Sequence, residues 1–331
     1  MIDQHRAAGV RQALAPHLGG GRRVSSVVCA PSPNRSSFVV DDMDVRLDDG
    51  TTLQLVAKAA HWDGLSPEAR RAKPRFLWDP DRERSSYETL LSPEQVGSAR
   101  YFGSCFDRSG HRYLLLERVP GTALWQHGDL EAWREAARWL ARMHLRIGAV
   151  RASGSRAHAH LIKYDRRYYE RWLTRATVFH PREPRRLQAL VERYRRVIDS
   201  LLAEPVTFIH GEFYASNVLV APRSGPDPGY VVRPVDWEMA ALGPPSIDLA
   251  CLAAGHWTDD ERADVADAYY RERARHGDPP CPRAAALRTL DSCLVHLCMR
   301  NLGWARDWAP PLDRAYDWLA EALRLCDKWP L

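Results

Sequence analysis

The chain has 331 residues, enough to bury a substantial core and to divide into two lobes. Its hydrophobic share of 45% and charged share of 27% fit an ordinary soluble globular protein and exclude a fibrous or disordered one. No apolar run is long enough to cross a bilayer, Met1 to Gly21 lacks the apolar stretch of a secretory signal, and the net charge is a modest +5.

Arginine supplies almost all the cations; only Lys58, Lys73, Lys163 and Lys328 are lysines. Each is therefore a candidate for a place where a planar guanidinium cannot replace a compact ammonium. The seven cysteines show no metal-ligand spacing, and an odd number without a signal peptide reads as reduced thiols in the cytoplasm. Cys293 and Cys298 lie in an apolar stretch and read as packing residues. His158 and His160 lack the further ligands a metal needs.

Residues 1–22 read as an opening helix or arm, ended by Gly19-Gly20-Gly21. From Val24 the pattern changes to period two. Ser36 to Val40 reads as a strand. Val45–Leu47 and Leu53–Val56 alternate on either side of Asp48-Asp49-Gly50-Thr51, a strong hairpin signal. A helix follows from about Asp81 to Leu91, then strands at Ala99–Gly103 and Tyr113–Glu117. Arg118-Val119-Pro120-Gly121 breaks the last of these. Beyond it, Asp129 is the expected N-cap of a helix from Glu131 to Leu145, with Trp133, Ala136, Ala137, Leu140 and Met143 near helical spacing. The remainder reads mostly as helix, apart from short strands between residues 206 and 234 and a turn-rich connector, Pro222 to Gly229. A strand-rich first third and a helix-rich remainder predict an α+β chain with an N-terminal domain, 1–118, and a C-terminal domain, 119–331.

The most informative stretch is Phe208 to Val220: apolar strand, polar loop, apolar strand. The loop carries Glu212 and, five residues on, Asn217; Asp236 follows in Pro234-Val235-Asp236-Trp237-Glu238. Phosphoryl transfer needs such parts, a carboxylate to orient the attacking hydroxyl and oxygen ligands to hold Mg²⁺ on the phosphates. With Ser246-Ile247-Asp248-Leu249-Ala250 behind them, this order resembles the catalytic and metal loops of the aminoglycoside phosphotransferase and choline kinase-like family. That family's loop usually reads His-Gly-Asp-x-x-x-x-Asn; here Glu212 takes the place of the Asp and is one methylene longer.

The resemblance spans roughly residues 24 to 260 and implies a two-lobed, protein-kinase-like α+β fold. It assigns Glu212 to the acceptor hydroxyl, Asn217 and Asp236 to catalysis and Mg²⁺, and Asp248 to bracing the loop from behind. His144 would have a packing or loop-bracing part. Val56-Ala57-Lys58 resembles the strand ending whose lysine pairs with nucleotide phosphates. The plain alternative is a solvated strand-end lysine whose removal leaves the fold intact. Lys58 would need a carboxylate, and the following helix offers Glu83 and Glu88, of which Glu83 fits the family pattern better. Ala30 to Ser37 lacks a glycine-rich motif, yet short polar side chains such as Asn34 and Ser36, with main-chain amides, suit phosphate oxygens. Leu114 to Gly121 resembles the family hinge, where adenine would bond to main chain near Glu117 and Val119.

The implied activity is ATP-dependent, Mg²⁺-assisted phosphorylation of a hydroxyl on a small metabolite or natural product, or on a peptide Ser or Thr. The alternative from another class is a nucleotide-binding scaffold without phosphoryl transfer. Ten arginines from Arg166 to Arg196, interleaved with Tyr168, Tyr169 and Trp172, read either as attraction for an acidic partner or as solvated helix faces. Asp259, Asp260, Glu261, Asp264, Asp267, Asp313 and Asp317 read either as carboxylates for a cationic substrate or as helix-surface charge. Trp304, Trp308 and Trp318 equally suit the lining of an apolar pocket. No membrane or nucleic-acid partner is expected.

Overall fold

The computed structural model describes residues 3–34, 37–151, 159–180, 184–225, 229–304, 306 and 316–329. The chain forms two compact units, Met1–Lys73 with Trp78–Pro120, and Pro74–Leu77 with Gly121–Leu331. The first unit thus ends at Pro120 rather than at residue 118. The short piece Pro74–Leu77 belongs to the second unit although the sequence places it within the first.

The first unit is built on a five-stranded antiparallel sheet. Its strands are β1 (Val24–Pro31), β2 (Val40–Leu47), β3 (Thr52–Ala59), β4 (Tyr101–Phe106) and β5 (Arg112–Glu117), in the order β1-β2-β3-β5-β4. The β2–β3 turn falls on Asp48 to Thr51, where Gly50 takes φ +86° and Asp49 accepts from the Thr51 N–H. Helix α1 (Gln4–Leu14) is capped by the Asp3 carboxylate and lays Val10 and Leu14 into a core with Met43, Val45, Leu55 and Leu115. The opening segment is therefore a packed helix and not an arm. Each such buried Val or Leu contributes about 1.5–3 kcal/mol. Of the strand expected over Ser36–Val40, Ser36 lies outside the described residues and residues 37–39 form none: Phe38 makes an isolated bridge to Leu65, and β2 begins at Val40. Helices α2 (Pro67–Ala72), α3 (Arg82–Thr89) and α4 (Pro93–Val96) connect β3 to β4.

The second unit holds two small three-stranded sheets among helices. One has the order β10-β9-β6, with β6 (Thr122–Ala123), β9 (Val218–Pro222) and β10 (Tyr230–Pro234). The other has the order β7-β11-β8, with β7 (Ile162–Lys163), β8 (Thr207–Ile209) and β11 (Ala241–Gly243). Helix α5 (Leu130–Arg151) outruns its expected end at Leu145, and its apolar face from Trp133 to Met143 is buried as its period demands. The other helices are α6 (Arg166–Phe179), α7 (Pro184–Ala203), α8 (Ser246–Leu252), α9 (Asp259–Arg275), α10 (Arg283–Leu302) and α11 (Trp318–Lys328).

The arginine-rich stretch resolves into α6 and α7. Tyr168, Tyr169 and Trp172 point into the core, while Arg166 pairs with Asp199 at 2.7 Å and Arg193 with Asp327 at 2.6 Å. All seven cysteines are free, and Cys293 and Cys298 are buried as expected. Among the described residues no helix is long and apolar enough to cross a membrane.

Candidate active site

In the first unit, Lys58 lies near the end of β3, opposite Val40 and Leu114 in the sheet. Its strand face passes from exposed Gln54 through half-buried Val56 to a buried end. Lys58 is 7% exposed, unlike the solvated side chain of the plain alternative, because α3 brings a carboxylate to it. The ammonium Nζ donates to Glu83 Oε2 at 2.6 Å, with both side chains under 10% exposed. Glu88 points elsewhere and pairs with Arg84 at 2.6 Å. Five residues at about 100° each put the two glutamates roughly 140° apart around the helix, so only one can face the sheet. Lys73, a second buried lysine, lies over the same Phe38 ring as Lys58, at 5.1 Å and 5.4 Å.

Of the other residues expected on the nucleotide, Asn34 sits in a turn where its N–H donates to Ser32 Oγ at 3.3 Å. Ser36 lies outside the described residues. Glu117 ends β5, and its carboxylate accepts from the Arg100 N–H at 3.0 Å. Val119 follows in the extended segment before Pro120 and is half-buried.

In the second unit, β8 delivers the chain to His210 and β9 carries it away from Asn217. Gly211 makes the turn at φ +81°; a Cβ there would stand 2.3 Å from the Met239 carbonyl oxygen, so no other residue fits. The buried Asp248 carboxylate, in the first turn of α8, gathers the loop. It accepts from the N–H of His210 at 2.6 Å, the N–H of Gly211 at 2.8 Å and the His144 ring at 3.2 Å. Nε2 of His144 donates to this carboxylate, leaving Nδ1 to accept the Tyr269 hydroxyl at 2.9 Å. Burial lowers the His144 pKa despite the neighbouring carboxylate, so the ring is neutral. His210 closes the loop on the other side: Nε2 donates to the Val235 carbonyl at 3.0 Å, and Nδ1 accepts the Glu212 N–H at 3.3 Å.

The β9–β10 hairpin brings the two remaining residues to one end. Val218 opposes Pro234, and one step further the Val235 N–H donates to the Asn217 carbonyl at 2.9 Å, so Asn217 and Asp236 flank the same hairpin end. Asn217 Nδ2 donates to the Glu212 carbonyl at 3.0 Å, which leaves Oδ1 as its acceptor atom. Asp236 takes φ +69°, alone among the described non-glycine residues in having positive φ. Such strain concentrates at functional turns. Trp237 is fully buried against Phe208 and His210, fixing the turn from behind.

Sequence reasoning missed Arg300. This α10 residue is 2% exposed, and its guanidinium donates to the Gly211 carbonyl at 2.9 Å, Glu212 Oε1 at 3.2 Å and the Tyr214 hydroxyl at 2.6 Å. One signal was present: an arginine at the end of the apolar run Cys293 to Met299 has no reason to be buried without an acidic partner. Several of the acidic residues of the C-terminal helices are engaged elsewhere. Asp259 pairs with Arg324 and Lys328, Asp264 with Arg134, and Asp267 with Arg271 and Arg283. Glu261 and Asp317 cap helices; Asp313 and Trp308 lie outside the described residues. Trp304 stacks on Trp172 at 5.8 Å.

The model of the phosphotransferase enzyme family matches residues 88–287. The chain therefore belongs to that family, and its α+β fold is the kinase-like one. Among solved structures it is similar to a candidate aminoglycoside phosphotransferase from Ralstonia eutropha JMP134, at TM-score 0.63 and 16% identity over 97% of this chain and 98% of that one. It is also similar to a microcompartment-associated aminopropanol kinase, at TM-score 0.57 and 14% identity over 97% and 95% of the two chains. The choline kinase of Cryptosporidium parvum Iowa II gives TM-score 0.54 and 12% identity over 98% and 94%. No curated protein sequence matches the chain.

Proposed function

We propose that the protein transfers the terminal phosphoryl group of ATP to a hydroxyl of a small metabolite, natural product or peptide, with Glu212 orienting that hydroxyl. The observation that supports this most is the β9–β10 hairpin, which brings Asn217 and Asp236 to one end in the same unit as the Asp248-braced loop bearing Glu212. A carboxamide oxygen and a carboxylate suit Mg²⁺, a hard cation that takes one or two protein ligands together with phosphate oxygens. When bound there, Mg²⁺ would neutralise charge on the phosphates. Asn217 and Asp236 would hold it. In the first unit, Lys58 would pair with nucleotide phosphates and Glu83 would keep it aimed. Asn34 and Ser36 would add polar contacts, and the main chain at Glu117 and Val119 would take the adenine. The unpaired cysteines support a reducing cytoplasm as the place of work.

The test is a screen of the protein with Mg²⁺ and ATP against hydroxyl compounds and Ser- or Thr-containing peptides, read as product masses. Gain of one phosphate on an acceptor supports the proposal. Nucleotide binding with no transfer to any acceptor replaces it by a nucleotide-binding scaffold.

A further inference from the structure

We infer that Arg300 is a positioning residue that aims the Glu212 carboxylate at the acceptor hydroxyl. The inference rests on the phosphotransferase reading above. One guanidinium holds three groups of the loop at once, the Gly211 carbonyl, the Glu212 carboxylate and the Tyr214 hydroxyl. A planar fork with fixed N–H directions constrains orientation as well as distance, which a flexible ammonium does not. Burial works against the arginine's charge, yet Tyr214 and Glu212 outweigh it and hold its pKa above the ordinary value. The helix end that carries Arg300 is itself fixed. Arg175 donates to the carbonyls of Gly303 and Trp304 at 2.7 and 2.8 Å, and His180 bonds that of Leu302 at 2.9 Å.

This anchor addresses the departure at position 212. Glu has one more rotatable bond than Asp, and catalytic positioning tolerates errors of only about 1 Å. The added methylene carries the carboxylate to the guanidinium, 3.2 Å away. An Asp at 212 would withdraw by about 1.5 Å, one C–C bond, and lose that contact. Glu212 and Arg300 are thus a matched pair: the longer side chain reaches the anchor, and the anchor removes the freedom that the longer side chain brings.

The experiment uses the full chain and an acceptor found in the transfer screen. Arg300→Lys keeps the charge and loses the fork; Arg300→Met loses both, and if it fails to fold the lysine variant carries the test. Both should lower kcat by at least about tenfold with the KM for ATP within about twofold of wild type. In a Glu212→Asp background the same changes should cost less than about threefold, because the contact is already gone. A urea-unfolding cycle of Arg300→Lys with Glu212→Ala, which needs no turnover, should depart from multiplicativity by at least about fivefold. Wild-type kcat in both variants, equal losses in the Glu and Asp backgrounds, or multiplicative unfolding constants would overturn the inference. Absence of transfer by the wild type refutes the proposed function instead, and the unfolding cycle still decides whether the pair is coupled.

Discussion

Lys58 offers a prediction in which stability and function separate. Its side chain and that of Glu83 are 9% and 8% exposed, so the 2.6 Å pair lies almost out of water. Replacing Lys58 by Met leaves the Glu83 carboxylate buried without its ammonium, and breaking such a pair typically costs about 3–5 kcal/mol. For a protein of this size that corresponds to a fall in melting temperature of about 4–7 °C. Glu83→Gln alone takes the carboxylate from the buried ammonium and should cost a similar amount. The double variant Lys58→Met/Glu83→Gln buries no net charge and should recover at least about 2 kcal/mol relative to Lys58→Met. Urea unfolding followed by tryptophan fluorescence measures all three. The double variant, though folded, should transfer no phosphate, because the ammonium that would pair with the nucleotide is absent. A loss below about 1 kcal/mol in Lys58→Met, adding simply to that of Glu83→Gln, would show a solvated strand-end lysine and refute the buried pair.

Asp236→Asn should weaken Mg²⁺-dependent nucleotide binding, and identical Mg²⁺ dependence in calorimetry would remove Asp236 from the metal site. Asp236→Gly should raise stability by up to about 1 kcal/mol by relieving the left-handed backbone, while abolishing transfer; a clear loss of stability counts against strain at this turn. Acid should destabilise the protein early. His144, facing Asp248, Tyr269 and Arg273, and His296, facing Tyr194 and Arg300, both have pKa values pushed below 6.5, chiefly by burial. The unfolded chain then binds these protons first, so stability is full well above pH 6.5 and falls as pH drops, by at most about 1.4 kcal/mol per unit for each ring until the folded ring also takes up its proton. Burial opposes the charge of Glu321, but Arg324 and Arg262 hold its pKa to about 2, so its contribution is present above 4.5 and is lost only toward that lower value. A urea midpoint constant from pH 8 to 5 would contradict the neutral buried rings.

What the sequence revealed was local. The Asp-Gly hairpin, the apolar stripe of α5 and the loop from His210 to Asn217 are set by neighbours a few residues away. Asn217 and Asp236 come to one end of the same hairpin because β9 and β10 pair, which the strand pattern already implied. The pairing of Lys58 with Glu83 spans 25 residues and became legible only once α3 was assigned. The bond from Arg300 to Glu212 spans 88 residues, and no local pattern points an arginine on a late helix at a loop so far upstream. Strands of two or three residues, such as β6, β7 and β11, exist only through their partners and have no propensity of their own to read. Alternation alone could not decide between a solvated and a buried Lys58, because it gives the face of a strand, not what covers it.

Glu212 carries the central claim, and transfer by its variants tests that claim most directly. With Mg²⁺, ATP and an accepting hydroxyl compound, the wild type should yield a product heavier by one phosphate. Glu212→Gln should lose about 10²- to 10⁴-fold in kcat with ATP affinity nearly unchanged, because a positioned carboxylate acts in the transfer step. Glu212→Asp should keep the charge, lose the reach to Arg300 and retain partial activity. A Gln variant that turns over as fast as the wild type would contradict the account and place the orienting group elsewhere.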